Sequence, residues 1–117
     1  MDLFRWLKNA CPGNRRPAVH IPDIPHTQPV RMRYCFSGLV QGVGFRYEAM
    51  ITAEQLELTG WARNKSDGTV VVEIEGEAGC ISEFLRVMQA VPRFHITDIR
   101  AEELPLSGTE TTFQALY

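Results

Sequence analysis

The spacing of apolar residues predicts an α+β chain: a layer of two helices on one face of an antiparallel sheet. Three observations carry that prediction. Stretches of two-residue and 3.6-residue periodicity follow one another as strand, helix, strand, strand, helix, strand, with a further strand at the end. A tight-turn signal, Ser66-Asp67-Gly68, separates the second strand from the third and sets them side by side and antiparallel. Crossovers between parallel strands are right-handed, so the third strand falls between the first and the second, and the fourth flanks the first on its other side.

Residues 30–37 alternate, with Val30, Met32, Tyr34 and Phe36 on one face and Arg31, Arg33, Cys35 and Ser37 on the other, as in a strand with one face buried. A glycine-rich loop, Gly38-Leu39-Val40-Gln41-Gly42-Val43-Gly44-Phe45-Arg46, leads into a helix over 47–56, where Phe45, Ala49, Ala53 and Leu56 share a face. Residues 59–64 form a short second strand. Val70, Val72 and Ile74 alternate through a third, which Gly76 ends. Ile81, Phe84, Leu85, Met88 and Val91 make a helical stripe stopped by Pro92. Residues 94–102 give a fourth strand and 111–117 a fifth, with Phe113, Ala115 and Tyr117 on one face. The β-α-β-β-α-β order with sheet order 4-1-3-2 is a ferredoxin-like sandwich; no rule places the fifth strand.

With 117 residues the chain is long enough for one domain and too short for two. Met1 to Ala10 has the pattern of a short helix capped by Asp2. Residues 12–29 hold five prolines, at 12, 17, 22, 25 and 29, and read as a semi-extended linker. The expected division is an extension over 1–29 and a domain over 30–117. Net charge is −2 but uneven: residues 1–33 carry +4 and the remainder −6. An acidic body argues against a nucleic-acid partner. The three cysteines, Cys11, Cys35 and Cys80, form no metal-like cluster and fit a reducing compartment. No apolar run approaches the roughly 20 residues of a membrane span, and no signal-peptide core is present. The expectation is a cytoplasmic monomer.

The chemistry concentrates in the glycine loop. Glycines at 38, 42 and 44 permit positive φ and bring backbone N–H groups close to a bound atom. Such a loop opening a helix gathers N–H donors at the positive end of the helix dipole, which suits an anion. Arg46 adds a planar guanidinium able to grip phosphate with two parallel hydrogen bonds. Gly42-x-Gly44 lacks the third glycine of the dinucleotide fingerprint, and no Gly-Lys-Ser/Thr ends the loop as in a P-loop. On spacing alone, the same residues also describe a strand-to-helix turn with a solvated arginine. The topology makes the first two strands parallel, so the loop and Asn64 emerge at one sheet edge, about 10 Å apart. The Asn64 carboxamide suits the orientation of water, and equally the opening of the hairpin that follows it.

Taken jointly, Gly38 to Arg46, Ala53-x-x-Leu56, Thr59-Gly60-Trp61-Ala62-Arg63-Asn64, Asp67-Gly68 and Phe113-x-x-x-Tyr117 resemble the acylphosphatase family, over about residues 30–117. The resemblance implies hydrolysis of small-molecule acyl phosphates to a carboxylate and inorganic phosphate, with no metal and no organic cofactor. It assigns phosphate binding to Arg46 and placement of the attacking water to Asn64. The backbone of Gln41, Gly42, Val43, Gly44, Phe45 and Arg46 is then the phosphate cradle, with Gly42 a steric requirement. No histidine fits a general base: His20 and His26 fall in the linker, and His95 opens the fourth strand as a surface residue. One departure is Glu57, where the family often has glycine; a positive φ there costs roughly 1 kcal/mol. The alternative is a non-catalytic ferredoxin-like module binding phosphate or nucleic acid. Against nucleic acid, the third strand has no aromatic residue and two outward carboxylates, Glu73 and Glu75.

Overall fold

The computed structural model describes residues 27–117; the expected N-terminal helix, most of the proline-rich stretch, Cys11, His20 and His26 lie outside the described residues. Five strands, β1 (Pro29–Leu39), β2 (Thr59–Asn64), β3 (Val70–Glu77), β4 (His95–Leu104) and β5 (Phe113–Leu116), and two helices, α1 (Phe45–Gln55) and α2 (Ala78–Ala90), follow in the order β1-α1-β2-β3-α2-β4-β5. The sheet order is β4-β1-β3-β2-β5. The first four strands pair antiparallel in the expected order. β5 adds beside β2 and runs parallel to it, so the complete sheet is mixed. Among the described residues, no helix is long and apolar enough to cross a membrane. Among the described residues, neither Cys35 nor Cys80 is in a disulfide.

The core lies between the helices and one face of the sheet. Val30, Met32, Tyr34 and Phe36 from β1 meet Val70, Val72 and Ile74 from β3 and the Phe45-Ala49-Ala53 face of α1. Ile81, Phe84, Leu85 and Met88 of α2 complete it, all fully buried. The helices run longer at their N-termini than periodicity suggests: α1 starts at Phe45 and α2 at Ala78, because apolar residues of the first turn pack inward before the stripe is established.

The end of α1 shows why Glu57 stands out. Leu58 N–H donates to the Ala53 carbonyl (2.8 Å) and Glu57 N–H to that of Glu54 (3.1 Å), the paired bonds of a Schellman cap. That cap places its penultimate residue in the left-handed region, and Glu57 has φ 58°. A glutamate thus occupies a glycine's conformation, as expected.

The other sheet face departs from the simple alternation. Arg31 and Glu73, expected to face outward, are both buried, 6% and 8% exposed. The cause is the connection from β4 to β5. It joins opposite edges, four strand spacings or about 19 Å apart, so it lies along this face. Arg31 bonds Glu73 (2.9 Å), Glu75 (3.1 Å) and Glu110 of the connection (2.7 Å), while Arg33 bonds Glu73 (2.6 Å). Glu75 also accepts the N–H groups of Ser107 (2.7 Å) and Gly108 (3.0 Å). Hydrogen bonding to Glu110 leads in raising the Arg31 pKa above its ordinary value against the cost of burial. Burial pushes the carboxyl groups of Glu73 and Glu75 up, but arginine and backbone donors outweigh it and hold both below the usual range.

Candidate active site

β1, β2 and β5 all point the same way, so their C-terminal ends share one edge of the sheet. The glycine loop leaves β1 there, Asn64 ends β2, and Leu116 ends β5. A cleft of about 150 Å³ opens between them, lined by Val40, Gly42, Gly44, Phe45, Arg46, Tyr47, Asn64 and Tyr117. The parallel strand relationship thus brings Arg46 and Asn64, 18 positions apart in sequence, into one cavity.

The loop is held from outside, leaving its interior open. Phe45 is buried, its ring 4.9 Å from that of Phe36 and 5.0 Å from that of Phe94. Val43 packs its side chain against the core. Gln41 Nε2 donates to the carbonyls of Lys65 (2.7 Å) and Thr69 (2.9 Å), tying the loop to the hairpin that begins at Asn64. Val43 O accepts from Arg93 Nε (2.7 Å), and Arg93 Nη2 pairs with Glu48 (2.8 Å). Among the described residues, no backbone N–H from Gln41 to Arg46 has an acceptor. Backbone donors in native proteins are nearly always satisfied, so a run of open ones around a cleft marks a seat for an acceptor-rich group.

Gly44 caps α1 in the left-handed region, φ 82° and ψ 21°, with no side-chain cap. The helix therefore presents its own first N–H groups to the cleft. Gly42 also has a positive φ, 73°, but a Cβ there would meet nothing within 4 Å. The expected steric role is corrected: the position demands glycine for its backbone angle, not for space.

Arg46 extends across the cleft toward β5. Its Nη1 donates to the Leu116 carbonyl (2.6 Å), and its guanidinium carbon lies 4.3 Å from the centre of the Tyr117 ring. Nε and Nη2 have no acceptor among the described residues, and that edge is a bidentate donor fork. The Asn64 carboxamide is half-buried, lines the same cleft and makes no side-chain hydrogen bond among the described residues. His95 is exposed at the start of β4, paired in the ladder with Leu39. It is not among the residues lining the cleft.

Sequence reasoning missed three parts of this site. The Gln41 side chain acts as a brace, where only its backbone was expected to matter. Arg93 follows Pro92 in a turn with no periodicity to mark it. Leu116 and Tyr117 reach Arg46 only because β5 joins beside β2, a placement without a sequence rule.

The acylphosphatase family model matches residues 32–115. The acylphosphatase of Chlorobaculum tepidum is 39% identical over 87 residues, covering 74% of this chain and 95% of that protein. The crystal structure of acylphosphatase from Bacillus subtilis superposes with a TM-score of 0.71 at 31% identity, covering 75% of this chain and 99% of that one. Full-length HypF, in a phosphate- and nucleotide-bound crystal form, is similar with a TM-score of 0.71 at 26% identity, but over 12% of its own length. The cleft, the loop around it and a match that spans nearly the whole of small acylphosphatases agree: the chain belongs to the acylphosphatase family.

Proposed function

We propose a division of labour by which this acylphosphatase hydrolyses the carboxyl–phosphate bond of small-molecule acyl phosphates. The N–H groups of residues 41–46 and the Nε–Nη2 edge of Arg46 hold the phosphoryl oxygens. Asn64 holds a water opposite the acyl oxygen. The substrate is already activated, since its leaving group is a carboxylate of low pKa, so positioning and charge neutralisation carry the catalysis. Water oxygen bonds to phosphorus while the bond from phosphorus to the acyl oxygen breaks, and that electron pair leaves with the carboxylate. The water's proton passes to a phosphate oxygen, so a dianionic mixed anhydride and water give a carboxylate and dihydrogen phosphate. A side-chain base has no part in this scheme.

The observation that carries the reading is the cluster of open N–H donors beside Arg46 in the cleft that Asn64 also lines. The same reading has residues 30–117 acting as a cytoplasmic monomer without nucleic acid, and residues 1–29 as an extension outside the catalytic unit. Its support is that every group it uses lies between residues 41 and 117 of one chain. Hydrolysis of benzoyl phosphate with EDTA present tests it, comparing the full chain with one beginning at Pro29. Both are expected to turn over at similar rates and to be inhibited by inorganic phosphate. Phosphate binding without turnover would leave the non-catalytic module, and neither would end both readings.

A further inference from the structure

From the geometry around the loop, we infer that Arg93 is a positioning residue for the phosphate cradle, fixing which way the Val43–Gly44 peptide faces. This inference rests on the cradle reading above. A peptide plane in a loop has two orientations, related by a half-turn that exchanges its carbonyl oxygen and its N–H. Glycine at 44 leaves both open, because it has no Cβ to exclude either. One orientation turns an N–H into the cleft; the other turns in a carbonyl oxygen, which would repel an anion.

Groups on either side of that peptide are held by other means. Gln41 is braced against the hairpin carbonyls, and the Gly44 carbonyl accepts the first helical bond, from Glu48 N–H at 3.0 Å. Among the described residues, the 43–44 peptide has a single hydrogen bond, from Arg93 Nε to the Val43 carbonyl at 2.7 Å. That bond draws the oxygen to the outside, so the amide of Gly44 turns inward.

Arg93 is itself placed from two sides. Its Nη2 meets Glu48 in the first turn of α1 at 2.8 Å, and its guanidinium sits 5.1 Å from the Phe94 ring centre, which in turn packs on Phe45. The Arg93 side chain is 51% exposed. An ion pair so open to solvent contributes little alone, so the role falls on the bond to the carbonyl.

The test uses the full chain turning over benzoyl phosphate with inorganic phosphate as competitive inhibitor, and the Gly44 amide resonance followed during phosphate addition. Arg93→Ala is expected to raise Ki and KM about five- to tenfold, the net worth of one hydrogen bond, with a smaller fall in kcat. The phosphate-induced shift of the Gly44 amide should shrink with it. Arg93→Lys, whose ammonium can still reach the Val43 carbonyl, should recover most of the affinity. Adding Glu48→Gln to Arg93→Ala should not. Full recovery in that double variant would reduce Arg93 to a screen for Glu48 and overturn the inference. So would an unchanged Ki in Arg93→Ala while Arg46→Ala raises it. If wild-type protein ignored phosphate and Arg46→Ala changed nothing, the cradle itself would be refuted.

Discussion

Arg46 has a double attachment that makes its substitutions informative. Nη1 holds the Leu116 carbonyl, and Nε and Nη2 of this cleft-lining residue have no acceptor among the described residues. Lysine could replace the first contact with a single ammonium donor but not the planar fork, so Arg46→Lys should keep much of the stability while losing phosphate affinity. A Ki for phosphate close to wild type in that variant would contradict the bidentate role. Among the described residues the Asn64 side chain makes no hydrogen bond to lose, which separates catalysis from folding more cleanly. Asn64→Ala should lower kcat by about 10² to 10³ with little change in KM or Tm, the usual effect of removing one positioned polar group. Glu57 offers the opposite case, a residue strained for no catalytic end. Its φ of 58° in the helix cap favours glycine, so Glu57→Gly should stabilise by roughly 0.5–1 kcal/mol with kcat unchanged, read by thermal denaturation. The strain at Glu57 was legible through the family resemblance, because glutamate stands where the family often has glycine, and the helix cap does place that residue at a positive φ.

Between elements, the proposed function makes the distance from loop to hairpin the distance from phosphate to water. The two bonds from Gln41 to the Lys65 and Thr69 carbonyls span that gap. Gln41→Glu replaces a double donor with an acceptor facing two carbonyl oxygens, so it should cost more in kcat/KM than Gln41→Ala. We expect about tenfold for alanine and more for glutamate, since small misplacements of reacting groups are expensive; equal effects would show that the brace does not set the spacing. The strands and helices that carry these groups were readable because their apolar periods are long and unbroken. Tyr34 and Phe36 mark β1, and Ile81, Phe84, Leu85 and Met88 mark α2. The position of β5 was not readable, because four residues with one buried aromatic, Phe113, fit either edge of a sheet. Arg93 and Tyr117 were invisible for the same reason: their contacts depend on which loop ends share an edge.

Across the whole molecule, the buried charges on the sheet face opposite the helices join β1, β3 and the connection from β4 to β5. Arg31 lies directly across from Glu75 in the ladder and Arg33 from Glu73, so cross-strand pairing was implicit in the register, but the cover that buries them was not. Because the Glu73 and Glu75 carboxyl groups titrate below their ordinary range when folded, the unfolded chain binds protons first as pH falls. Their contribution is complete above the unfolded carboxylate value near 4.3 and disappears as pH drops through the lower folded values. Thermal midpoints should therefore hold steady down to about pH 5 and fall below it, and Glu73→Gln should flatten part of that fall; an identical slope in the variant would show that this network does not govern acid sensitivity. The charged face and the cleft at the sheet edge meet through β1, which carries Arg31 and Arg33 and leads into the loop, and through β5, which the connection delivers to Arg46. The cradle remains the claim on which the rest depends, and a crystal structure with inorganic phosphate measures it most directly. The account predicts phosphate within the 41–46 loop, its oxygens about 2.7–3.1 Å from several loop nitrogens and from Arg46 Nε and Nη2, with Asn64 facing the phosphorus from the open side. Phosphate bound elsewhere, or an empty loop with Asn64 turned away from it, would contradict the account.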